Sequence, residues 1–240
     1  MLAMPYSTVQ AATPMGGLES FPAQPAELVR EMVTVSHFNI KRVKELVEAR
    51  PALAKAAVDW GFGDWEDAVS AASHTGRREI AEYLIAHGAR PTLFSATMLG
   101  QLDVVKAFLV AQPGAQRIPG PHSISLLDHA KAGGKAAEPV YEYLQSLGDA
   151  GSPEQPKLTT EVAVALVGVY GFGSGPNDTI SVTEKNGQLT FTRKGTTGRG
   201  LIQTGENTFY PMGATAVRVR FADGGLTVQD ADLVLTARKQ

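Results

Sequence analysis

Between residues 27 and 149 the apolar positions recur at the helical period, in four segments that can be stacked on one another. The segments are "VSHFNIKRVKELVEARP" from Val35, "ASHTGRREIAEYLIAHGARP" from Ala72, "ATMLGQLDVVKAFLVAQP" from Ala96 and "AKAGGKAAEPVYEYLQSLGDA" from Ala130. Each has a small residue, two variable positions, and a Gly or Asn hinge at Asn39, Gly76, Gly100 or Gly134. In the first three, apolar residues follow four and eight positions after the hinge: Val43 and Val47, Ile80 and Leu84, Val104 and Phe108. This spacing predicts pairs of short helices that bury their apolar faces only against neighbouring pairs.

After residue 158 the helical period gives way to alternation. "DTISVTEKNGQLTFTRK" places Ile180 and Val182, then Leu189 and Phe191, on one face either side of Asn186-Gly187, a pair that favours a two-residue type I′ turn. Short strands are further expected near 169–172 and at "GLIQT", "NTFYP", "AVRVRF", "LTVQD" and "DLVLTA", about eight in all. They suit a small antiparallel barrel or sandwich. The chain thus reads as an α+β protein of two domains. A flexible arm (1–26) precedes a helical repeat domain (27–149), and a Pro and Gly linker (150–157) leads into a β-domain (158–240).

The repeat skeleton, its hinge spacings of 37, 24 and 34 residues and the "HGARP" ending of the second copy resemble the ankyrin repeat, with its period of about 33. The departures are "DAVS" at Asp67–Ser70 where the family has "TPLH", Arg90 where Asp is commoner, and a third copy too short for a β-hairpin finger. The resemblance, to bacterial ankyrin-repeat proteins, implies a helical solenoid of four imperfect repeats, the outer two acting as caps. It also implies that the finger 58–66 and the hinge-flanking residues line a concave binding face. The β-half is similar in pattern to the small barrel appended to penicillin-recognising serine hydrolases, which implies a docking or substrate-shaping accessory.

Composition narrows the chemistry. Lys and Arg number 22 against 24 Asp and Glu, a net charge of -2 with no basic run, so a nucleic-acid partner is not expected. There is no Cys, which removes disulfides and thiolate chemistry. The longest uncharged apolar stretch, from Val162, is short of the roughly 20 residues of a membrane span. The N-terminal arm is equally compatible with a chain whose export signal has been removed and with a cytoplasmic one. No nucleophile elbow, Ser-x-x-Lys, His-Glu-x-x-His or phosphate loop occurs; "GFGSG" at 171–175 has Phe172 where an elbow needs Gly.

The chemistry-bearing candidates lie in the helical half. The finger "DWGFGDWED" holds both tryptophans, and Trp60, Phe62 and Trp65 with Phe38, Thr75, Met98 and Leu99 are the expected binding residues. The expected function is a binding protein whose concave face holds a protein, peptide or small apolar ligand. The alternative is an isomerase, lyase or hydrolase working by acid-base chemistry without a cofactor. There His37 and His74, at equivalent positions in adjacent repeats, would move protons with Asp64, and Glu66 would lie beside them. His122, Asp128 and His129 are close in sequence, but no metal site is expected from them, and His87 is expected only to suit its helix end.

Overall fold

The computed structural model describes residues 23–152 and 158–240. The expected arm up to residue 22, and 153–157 of the expected linker, lie outside the described residues. Among the described residues eight α-helices come in consecutive pairs: α1 (Ala26–Ser36) with α2 (Ile40–Ala49), α3 (Ala68–His74) with α4 (Arg78–Ala86), α5 (Leu93–Met98) with α6 (Leu102–Ala111), and α7 (Leu126–Ala132) with α8 (Glu138–Leu147). The first of each pair packs on the next, α1 on α3, α3 on α5 and α5 on α7.

Local chemistry sets where these helices begin. Asn39 accepts from the Arg42 amide, Asp67 from Ser70 and Ser125 from Asp128, while Thr92 and Ser95 form a reciprocal capping box. Side chains at the opposite ends bond back one turn: Ser36 Oγ donates to the Met32 carbonyl, Ser73 Oγ to Val69 and Thr97 Oγ1 to Leu93. Small residues whose polar atoms are satisfied within their own helix can sit in a tightly packed layer. Every residue of α3 from Ala68 to Ser73 is buried. Met32, Leu53, Leu84 and Met98 fill this core around it, each contributing about 1.5–3 kcal/mol of apolar burial.

The outer helices follow the expected pattern twice and depart from it once. Val43, Val47, Ile80 and Leu84 are buried, as the hinge spacing predicts. In α6 the buried residues are Val105 and Leu109, and Val104 and Phe108 are exposed. The inward face of α6 therefore falls one position later than the repeat skeleton places it.

Between α2 and α3 the chain forms a two-stranded antiparallel finger, β1 (Ala57–Asp59) and β2 (Trp65–Asp67), with Asp59 opposite Trp65. The loop joining α6 to α7 passes beside this finger and carries His122 in the left-handed region at φ 59.

A ninth helix, α9 (Thr160–Leu166), which the sequence pattern did not predict, leads into the β-region. The strands are β3 (Gly168–Gly171), β4 (Thr179–Lys185), β5 (Gln188–Arg193), β6 (Arg199–Gly205), β7 (Thr208–Pro211), β8 (Arg218–Ala222), β9 (Gly225–Asp230) and β10 (Leu233–Lys239). They form a closed antiparallel barrel in chain order, completed by β10 against β3. Closure leaves no free sheet edge. Tyr170, Ile180, Leu189, Phe209, Val219 and Leu226 fill the interior, and Ala163 and Leu166 of α9 join the same core. No helix among the described residues is long and apolar enough to cross a membrane.

Candidate metal centre

Three elements of the helical half meet at Glu66. Its backbone belongs to β2, and pairing of that strand with β1 sets it facing inward, with a fully buried side chain. His37 stands at the C-terminal end of α1 and His74 ends α3, so the stacking of these two helices brings their rings to 4.9 Å. His122 arrives from the α6–α7 loop, its ring 5.5 Å from that of His74.

The donor atoms converge. His74 Nε2 lies 2.9 Å from Glu66 Oε1 and 3.1 Å from His37 Nε2. Glu66 Oε2 lies 3.5 Å from His37 Nε2 and 3.4 Å from His122 Nε2. All four donor groups lie within 4.8 Å of one another. A metal ion with bonds of about 2.1 Å keeps neighbouring donors about 3.0 Å apart at right angles and about 3.4 Å apart at the tetrahedral angle. The four separations just given, 2.9–3.5 Å, lie within about 0.1 Å of that range.

The groups behind the donors fix their direction. His37 Nδ1 lies 3.0 Å from the Val33 carbonyl and donates to it, which leaves Nε2 as a lone pair aimed at the cluster. His122 Nδ1 donates to Asp64 Oδ2 at 2.7 Å, and the His122 amide donates to Asp64 Oδ1 at 2.9 Å. Trp60 Nε1 donates to Glu66 Oε2 at 2.7 Å. Outer hydrogen bonds of this kind, to a carbonyl or a carboxylate, orient imidazole ligands in metalloproteins. His37 and His122 keep 22% and 31% of their side-chain surface exposed, while Glu66 is fully buried.

Charge in the site is balanced. Burial opposes the ionised form of Glu66, but hydrogen bonds from His122 and His74 outweigh it and bring its pKa down to about 2. Burial likewise opposes a charged His122, and its bonds to Asp64 and Glu66 overcome that, raising it to about 9. Asp64 is lowered, with burial opposed by the His122 side chain and amide and by Arg199. Arg199, from the barrel, donates to Asp64 Oδ2 at 3.0 Å and to the Trp60 carbonyl at 2.8 Å.

A cleft of about 600 Å³ adjoins the site, with Asp64 and Glu66 among its lining. Its walls include Trp65, Phe94, Phe108, Ile118 and Pro121. Trp65 is 64% exposed and Ile118 61%, so large apolar side chains stand open at this cleft.

The residues expected to act thus divide. His37, Asp64 and His74 come together at one site with Glu66. Trp60 is half-buried against the helical core and serves Glu66, while Trp65 lines the cleft. Phe62 and Phe38 are exposed. Met98 is fully buried, so it offers no surface to a partner, and Thr75 spends its hydroxyl on the Ala71 carbonyl. Leu99 packs against the helical core.

Of the trio near 122–129, Asp128 is tied to Ser125 at the start of α7 and His129 is buried, its Nδ1 on the Ser125 carbonyl. His122 leaves Asp128 and His129 for the finger, where His37, Glu66, His74 and His122 form a donor set that could hold an ion. The sequence carried His122 without a sign of its partners, which lie 48 or more residues away. Arg199, between Gly198 and Gly200, belongs to no motif in the sequence. No protein-family model, no curated protein and no solved structure matches the chain.

Proposed function

We propose that this chain is a metal-dependent enzyme that binds one divalent transition-metal ion through His37, Glu66, His74 and His122 and acts on a small molecule seated in the neighbouring cleft. The observation that carries the reading is the convergence of three imidazole Nε2 atoms on one buried carboxylate, two of those rings being oriented from behind. Three imidazoles and one carboxylate suit zinc, iron, manganese, cobalt or nickel. The partial exposure of His37 and His122 supports access for water or substrate, the feature that separates a catalytic metal site from a structural one. An ion there supplies Lewis acidity and lowers the pKa of a bound water. The apolar walls of the cleft suit a substrate with an aromatic or branched apolar part.

The helix pairs and finger support reading residues 27–149 as a short ankyrin-type stack, and the closed barrel supports reading 158–240 as a second unit. In this proposal the stack positions the donors and the barrel braces them.

The test is equilibrium dialysis of the full chain against Zn²⁺, Mn²⁺, Fe²⁺, Co²⁺ and Ni²⁺, followed by a turnover screen of small amphipathic substrates with and without chelator. One ion per chain, lost in Glu66→Gln, and turnover abolished by chelation are expected. A wild-type chain that takes up none of these ions overturns the metal reading. Turnover indifferent to chelator returns the site to cofactor-free acid-base chemistry. Capture of a protein, peptide or apolar ligand with no turnover returns it to a binding role.

A further inference from the structure

We propose that Arg199 of the barrel is a positioning residue of the metal centre, acting through Asp64 on His122; this rests on the metal reading above. The Arg199 side chain is largely buried, 15% exposed, and it crosses 135 residues of sequence to reach Asp64. Its three short bonds, to Asp64 Oδ2, the Met212 carbonyl at 2.9 Å and the Trp60 carbonyl, fix the guanidinium in one place. Asp64 Oδ2 is shared between that guanidinium and His122 Nδ1, so the cation sets where the carboxylate stands and the carboxylate sets how the imidazole faces.

His122 depends on this bracing more than His37 or His74 do. Those two are carried at helix ends, whereas His122 sits on a loop with a left-handed backbone whose amide is also held by Asp64. A non-glycine residue persists in that region only where its surroundings over-determine it. The barrel supplies a second hold next door, where the Gly213 amide donates to Ser123 Oγ at 2.7 Å. Gly213 itself stands at φ 82 against the Asp64 carboxylate, and any side chain there would collide with it. The third imidazole is therefore presented by a loop that the barrel holds directly at Ser123 and, through Arg199 and Asp64, at His122.

The experiment is cobalt titration of the full-length wild type, Arg199→Met, Arg199→Lys, His122→Ala and the Arg199→Met/His122→Ala double variant, followed by the visible absorption of bound Co²⁺, with thermal unfolding alongside. Arg199→Met is expected to weaken cobalt affinity about 10–100-fold and to alter the absorption bands, as loss of an outer-shell partner does. Arg199→Lys, which keeps a cation for Asp64, is expected to recover part of the affinity. In the His122→Ala background the Arg199→Met change should have no further effect on affinity, since the residue through which it acts is gone. If Arg199 is only a staple between barrel and helices, unfolding temperature falls while affinity and spectrum of the folded protein stay at wild-type values, and the inference is overturned. Equal losses with and without His122 overturn it too. If wild type binds no cobalt, the metal reading fails with it; if wild type binds and Arg199→Met binds equally, only the role of Arg199 fails.

Discussion

At the scale of single residues the two tryptophans of the finger do different work. Trp60 packs on the helical core and holds Glu66 through its indole N–H, whereas Trp65 is mostly open to the cleft. Trp60→Phe keeps most of the packing and removes one donor to a buried carboxylate, so a loss of about 1–3 kcal/mol is expected. Trp65→Ala is expected to cost the fold ~1 kcal/mol or less and to abolish the fluorescence response to any ligand that enters the cleft. Denaturant unfolding of both variants checks the contrast, and a larger loss for Trp65→Ala would reverse the assignment. His129 gives a pH signature. Burial lowers its pKa to about 4, so the folded chain keeps it neutral while the unfolded chain protonates it near 6.5. Its contribution is complete above pH 6.5 and declines as pH falls toward 4, by up to ~3 kcal/mol. Unfolding free energy measured across that window should fall in wild type and lose that part of its slope in His129→Leu. An unchanged slope would show that His129 is not the group responsible.

At the scale of elements the barrel hairpin offers the cleanest check. Lys185 pairs with Gln188, and Asn186 and Gly187 both take positive φ, 56 and 81, as a type I′ turn requires. Nothing lies near the position of a Cβ at Gly187, so replacing it with Val tests backbone strain alone. A loss of about 1 kcal/mol or more is expected in thermal unfolding of the full chain, and an unmoved transition would contradict the turn. This hairpin was legible because alternation and turn chemistry are both local. The paired helices were legible for the same reason, through hinge spacing and apolar period. The face of α6 was not, because its two adjacent valines fit either of two registers and packing against α8 and α5 decides between them. The site was half legible. His37 and His74 share a repeat position and Asp64 lies on the finger between them, but His122 and Arg199 reach the site only through loop path and barrel docking, which leave no period in the sequence.

At the scale of the whole molecule the helical half and the barrel have separate apolar cores, and the polar seam of Arg199, Asp64, Ser123 and Gly213 joins them beside the donor cluster. Two buried carboxylates are costly without compensation, and Arg199 and His122 supply it. An ion bound there would tie α1, α3, the finger and the α6–α7 loop together, so it should stabilise the whole fold by mass action. Zn²⁺ at a hundred times its dissociation constant is expected to add ~2.7 kcal/mol and to raise the unfolding temperature by on the order of 5 °C, reversed by chelator; no shift would argue against a site formed only in the folded state. The most direct measurement is anomalous X-ray scattering from crystals of the full chain soaked in Zn²⁺ or Co²⁺. The account predicts a single strong peak about 2.1 Å from the Nε2 atoms of His37, His74 and His122 and from a carboxylate oxygen of Glu66. An empty centre with His122 still bridging Asp64 and Glu66, or an ion bound elsewhere on the surface, would contradict it.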